Sequence, residues 1–184
     1  MQTNELNEVW YALRTFFAAE QKVKQYLSRN NQPCFIPTLR CLKDGNDDKP
    51  VTIEKPVVHN LLFLRKAFAD QTLKGILAEC PYPIKMYTHP ERQEEWARIS
   101  GQDMLELRII CDNTFNRPNF ITQAEAELKA GRMVRVTHGP MKGVTGKLVR
   151  KNRKYYVIKS FTALAVEVAV SRWCCEPCDE TPEG

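Results

Sequence analysis

Near the end of the chain, Cys174-Cys175-Glu176-Pro177-Cys178 crowds three thiols and a carboxylate together, which invites a zinc or redox reading. A structural zinc site needs four ligands. The chain offers no second Cys-x-x-Cys and no paired histidines, because His59, His89 and His138 are scattered. Residues 175–184 are therefore read as a flexible tail, and no metal or other cofactor is expected. Catalysis finds no better footing. There is no phosphate-cradling Walker loop, no metalloprotease helix and no nucleophile elbow, and three isolated histidines do not make an acid–base pair. The sequence reads as a binding protein, not an enzyme.

The groups that remain carry binding chemistry. Arg150, Lys151, Arg153 and Lys154 surround Asn152, and Tyr155 and Tyr156 follow directly. Such cations contact nucleic-acid phosphate or an acidic protein face. A tyrosine can stack on a base, although strand alternation should bury one of the two. The plainer reading is a basic turn that keeps a small domain soluble. At the other end, Trp10 and Tyr11 would point to opposite faces of a strand. Either both are core aromatics, or at least one lies in an exposed apolar patch and anchors a partner. Phe16 and Phe17 come next, at a strand-to-helix turn where packing is the plainer role.

Charge is distributed unevenly. The formal net charge is +5, yet residues 1–129 balance 17 Lys/Arg against 17 Asp/Glu. Residues 130–173 hold 10 Lys/Arg against the single acid Glu167, and the last eleven residues return −4. A segmental excess of this kind points to a polyanion or an acidic partner for one module only, with a merely solvated surface as the alternative.

These groups need elements to position them. A length of 184 residues suits one domain of about 100 to 120 residues and a small one of about 50. No apolar run reaches the ~20 residues of a membrane span. The start MQTNELNE is unlike a secretion signal, so a cytoplasmic location is expected. Seven cysteines, most of them in apolar runs, fit reduced and buried thiols. VWYALRT (9–15) alternates with period two and reads as a strand, and residues 18–30 as an amphipathic helix. Residues 33–40 read as a second strand, 41–56 as a protruding hairpin or loop, and 57–67 as an apolar strand near a sheet centre. A helix over 69–80, short strands at 84–89 and 95–100, and a third helix opened by a Ser100-to-Asp103 capping box complete one α+β domain, residues 1–112.

Residues 113–129 lose periodicity and are read as a linker in which Thr122 caps at most one helical turn. Four short strands follow, at 133–138, 144–150, 154–160 and 163–170, as expected for a small barrel over residues 130–174. The alanines of 163–170 would also suit a helix, but Leu164, Val166, Val168 and Val170 lie at period two and favour a strand.

GRMVRVTHGPMKGVTGKLVRK (131–151) resembles the KOW motif of NusG-type transcription factors and several ribosomal proteins. Glycines at 143 and 146 suit positions where positive φ or close backbone approach excludes a side chain. The N-terminal part resembles the same family through Trp10-Tyr11, the helix EQKVKQYL (20–27) and the phrase Phe35-Ile36-Pro37-Thr38. In order and coverage the chain is most similar to the specialised paralogues of the UpxY and RfaH kind. It departs from the family pattern at Val57-Val58-His59-Asn60-Leu61-Leu62-Phe63, where an aromatic-Pro-Gly-Tyr phrase is usual.

The resemblance implies a NusG-type αβ sandwich, an antiparallel sheet with helices packed on it, followed by an SH3-like KOW barrel. It implies a transcription elongation and antitermination factor. Trp10, Tyr11, Phe17, Val58 and Leu61 would grip the clamp helices of the largest subunit of RNA polymerase, either less strongly where Val58 and Leu61 replace larger rings or in a way tuned to a different clamp sequence. The barrel would recruit a small-subunit ribosomal protein such as NusE, or Rho. Arg150, Lys151, Arg153, Lys154 and Tyr155 would touch that partner, or nucleic acid within the transcription complex. RfaH-like proteins can also hold this module as a helical hairpin; four alternating segments favour the barrel here. The rival reading is a KOW-type ribosome-associated or RNA-binding regulator.

Overall fold

The computed structural model describes residues 6–44, 50–112 and 118–179. The chain divides into two compact units, Met1–Leu105 and Glu106–Gly184.

The first unit is built around β1 (Val9–Thr15), a seven-residue strand, VWYALRT, rich in aromatic and apolar residues. Next come α1 (Glu20–Arg29), β2 (Cys34–Phe35) and the antiparallel pair β3 (Thr38–Asp44) and β4 (Pro50–Pro56). The pairing of β3 with β4 is the expected hairpin; its tip, residues 45–49, lies outside the described residues. β5 (Leu61–Arg65), α2 (Asp70–Ala78), β6 (Ile84–Met86) and β7 (Arg98–Ser100) complete the unit. In the sheet order β2-β5-β1-β6, β7 also pairs with β1. Two three-residue strands thus share one edge of β1: Val9 to Tyr11 meet β7, and Leu13 to Thr15 meet β6.

Alternation along the two longest ladders sets the core. Tyr11 and Leu13 of β1 and Leu62 and Leu64 of β5 share a face, and Ala19, α1 (Val23, Leu27) and α2 (Leu73) pack onto it. Burying a Leu or Val side chain contributes about 1.5–3 kcal/mol, so this layer is a large stabilising contribution to the unit. The opposite face carries Trp10, Ala12, Leu61 and Phe63, which are buried as well. Both helices carry an acid in the first turn, Glu20 and Asp70, where the helix dipole favours negative charge.

α3 (Gly101–Asp112) begins where expected: Ser100 Oγ accepts from Asp103 N at 3.0 Å. The second unit contains β8 (Asn119–Ile121), α4 (Gln123–Glu127), β9 (Arg132–Val136), β10 (Thr145–Lys151), β11 (Lys154–Ser160), β12 (Ala165–Val170) and β13 (Cys175–Pro177). All adjacent strands pair antiparallel, in the order β13-β9-β10-β11-β12-β8. The alanine-rich segment is strand β12, paired with β11 from Tyr155–Val170 to Ser160–Ala165.

Three expectations need correction. The expected linker contributes β8, which pairs with β12, and α4, whose Ala126 packs with Ile158 and Ala165. Thr122 caps α4 with a full capping box, accepting from Glu125 N while the Glu125 carboxylate accepts from Thr122 N. The expected tail begins as β13, bonded to β9. Each of these added strands is only three residues long, too short for alternation to reveal. They also end the sheet at β8 and β13, which do not pair with each other among the described residues, so no closed barrel is seen.

Two glycines of the KOW-like string serve different needs. Gly143 has φ +98°, a conformation L side chains rarely adopt. Gly146 faces β11 so closely that a Cβ would lie 2.4 Å from the carbonyl oxygen of Ile158.

Candidate functional site

The strand-to-helix turn after β1 is the most distinctive surface of the first unit. Phe17 and Ala18 both have left-handed backbone, φ 56° and 53°. For a bulky residue this is a genuine outlier, at a cost on the order of 1–3 kcal/mol. The surroundings over-determine it. Asn60, itself left-handed at φ 62°, sits immediately before β5 and reaches the turn three ways. Its carbonyl accepts from Thr15 N at 2.9 Å, its Oδ1 accepts from Ala18 N at 3.0 Å, and its own N–H donates to the buried Glu20 carboxylate. Asparagine tolerates left-handed backbone better than most residues, which suits it to this place.

The product of this scaffold is Phe17, 90% exposed. Beside it, the Arg14 guanidinium lies over the ring of Phe16 at 5.3 Å, a cation–π contact that steadies the base of the turn. Val58, two residues before Asn60, is half-buried.

The other three residues expected at a polymerase contact are buried. Trp10 is 3% exposed and Leu61 1%. Tyr11 packs in the helix-facing core, edge-on to Trp96 at 5.4 Å, with its hydroxyl 3.4 Å from Asp70. Burial pushes the Tyr11 phenol above its ordinary value, and the neighbouring Asp70 carboxylate adds to the rise. Trp10 donates from Nε1 to Glu8 at 3.1 Å, and the same carboxylate pairs with Arg65 at 2.8 Å. The expectation that one ring of the Trp-Tyr pair lies in an exposed patch is not met. β1 lies inside the sheet, and both of its faces are covered where these rings project.

In the second unit, the five expected contact residues lie on the β10–β11 hairpin, and three of them, Arg153, Lys154 and Tyr155, line one cleft. Asn152 and Arg153, both at positive φ (50° and 63°), form the two-residue turn between β10 and β11, the turn type whose twist matches a hairpin. Arg150 is paired across the ladder with Tyr155, and its guanidinium lies 5.6 Å from that ring. Tyr155 and Tyr156 are both half-buried, so alternation hides neither ring completely. Lys151 is committed elsewhere, reaching Glu167 at 3.6 Å.

Arg153, Lys154 and Tyr155 line one wall of an open cleft of about 580 Å³. Its other wall holds His138, Arg172 and Trp173, none of which was expected at a site. The signal in the sequence is Arg172-Trp173, an aromatic beside a cation in a basic segment. Cys174 and Cys175 are buried and Cys178 is half-buried. Among the described residues no cluster of His, Cys, Asp and Glu is grouped to hold a metal ion, and no helix is long and apolar enough to cross a membrane.

The first unit is thus an antiparallel αβ sheet domain that presents an apolar knob, and the second a basic sheet domain. The family described as Transcription termination factor nusG matches residues 8–108, more than half of the chain, and the chain belongs to the NusG family. Its members are non-enzymatic transcription elongation and termination factors, and they generally bind RNA polymerase. No curated protein matches the chain.

Proposed function

We propose that this chain is a transcription elongation and antitermination factor of the UpxY and RfaH kind, acting in the cytoplasm. Its first unit binds the clamp helices of the largest polymerase subunit and disfavours pausing and termination. It does so by binding one conformation of the polymerase better than others, a population shift rather than chemistry. Phe17 and Val58 supply the contact, while Trp10, Tyr11 and Leu61 hold the sheet that presents it. The second unit acts as a KOW module of the SH3 type and recruits a small-subunit ribosomal protein or Rho.

Family membership supports the partner, and the Asn60-held turn that keeps Phe17 outward supports the place. Strained backbone at a surface turn persists only where surrounding contacts enforce it, and such strain clusters at working sites. The test is binding of full-length protein to core RNA polymerase. Phe17→Ala should weaken binding about ten-fold or more, as truncating an anchor does, and Val58→Asp should abolish it. Both should leave the thermal transition in place. Leu61 is too buried for the same test. Unchanged polymerase binding by both variants refutes the contact.

A further inference from the structure

Trp173 is 75% exposed. Large aromatic side chains on a soluble surface are usually paired with an apolar neighbour or a partner. This ring stands against His138, with centroids 5.8 Å apart and planes tilted by 44°. The pair opens onto the cleft between the β9–β10 loop, the β10–β11 hairpin and the end of β12. Arg153, Lys154 and Arg172 line the same cleft, and no Asp or Glu does. Arg172 is steadied by donating to the carbonyl of Cys175 at 3.2 Å. Tyr155 adds a second ring, with the Arg150 guanidinium over it.

Aromatic faces alternating with cations, at the mouth of an open groove, match what unpaired bases and phosphates require. Each base offers a π-face to stack on, whatever its identity, and each phosphate takes a cation. A duplex hides its bases from such rings. An acidic peptide would satisfy the cations but has no need of two aromatic platforms. We propose that this cleft binds single-stranded nucleic acid, with a base on the Trp173–His138 pair and the backbone along Arg153, Lys154 and Arg172. The proposal is separate from the polymerase contact, which lies in the first unit, and the assay contains no polymerase.

The experiment measures fluorescence anisotropy of a labelled 12-nucleotide single strand, as RNA in one arm and DNA in the other, with full-length protein. Trp173→Ala should weaken binding about five- to hundred-fold, the range for losing one stacked base. Trp173→Phe should keep most of the affinity. Arg153→Ala should weaken both arms and lower the salt slope by about 0.7. The ratio of the two arms identifies whether RNA or DNA is the natural strand. Trp173 is exposed, so its loss should leave the circular dichroism spectrum unchanged and a fold defect is readily told apart. Equal affinity of Trp173→Ala and the parent overturns the proposal. So does binding of an oligoglutamate peptide with the same Trp173 dependence while neither oligonucleotide binds, which would assign the cleft to a protein.

Discussion

Replacing Asn60 separates its side-chain hydrogen bond to the Phe17 turn from the conformation of its own backbone. Asn60→Ala removes the acceptor for Ala18 N, worth about 1 kcal/mol for a neutral hydrogen bond. It also puts a side chain without polar compensation at φ 62°, at about 1–2 kcal/mol. Asn60→Gly removes the same acceptor but is free of the backbone penalty. Against that, glycine adds about 0.4–1 kcal/mol of unfolded-chain entropy. The alanine variant should therefore lose about 2–3 kcal/mol and the glycine variant about 0.5–1 kcal/mol less than that. With urea slopes of about 1–3 kcal/mol/M, the alanine midpoint falls by about 1 M and the glycine midpoint by visibly less. Urea titration followed by tryptophan fluorescence reads this, because the buried Trp10 lies in the first unit. The glycine variant, more stable yet without the Ala18 bond, should still present Phe17 poorly and bind polymerase more weakly than the parent. If the two variants unfold at the same midpoint, or alanine proves the more stable, the strain argument fails.

Two further perturbations probe the second unit. Glu167, 5% exposed, meets Lys129 at 2.8 Å and Lys151 at 3.6 Å. Glu167→Gln leaves a partly buried ammonium without its counter-charge. The loss should be about 1–3 kcal/mol, between the surface and buried limits, seen as a melting temperature lower by about 5 to 20 °C; an unchanged transition refutes it. Burial pushes the Cys111 thiol from an ordinary 9.0 up to about 12, with the Asp112 carboxylate adding to the rise. The unfolded chain therefore releases that proton first, so the stability this thiol confers is complete below pH 9 and is lost as pH rises to about 12. The parent should lose stability over that window relative to Cys111→Ala, as measured by urea midpoints at stepped pH; parallel curves refute the assignment.

The legible parts of this fold are those in which a local rule and the tertiary environment agree. α1 was readable because its apolar period persists over ten residues, and β1 and β11 because seven residues each are rich in the aromatic and β-branched types that strands favour. Gly143 and Gly146 were readable because backbone geometry excludes side chains there by two separate mechanisms. The basic hairpin was readable because charge does not depend on the fold. What escaped was short or depended on context. β8 and β13 have three residues each, and nothing in Asn119–Ile121 or Cys175–Pro177 signals a ladder until a neighbouring strand offers its edge. The buried face of α4 rests mainly on Ala126, a residue equally at home in a linker.

The candidate site shows the same division with higher stakes. A Trp-Tyr pair at a strand start is an anchor or a core depending only on what covers the sheet, and period two cannot tell which. Both rings proved to be buried, and the exposed ring is the neighbour whose plainer role was packing. Phe17 is outward because Asn60, 43 residues later, supplies a carbonyl, an amide oxygen and an N–H to one turn. Asn60 stands within the segment where the family's usual phrase is absent. That departure reads as a loss of apolar grip if only side-chain size is counted. In the fold it is the residue that fixes the turn. On the proposed reading the grip lies at the edge of the sheet rather than on its face, and an Asn60 variant that stays folded while losing polymerase is the outcome that reading requires.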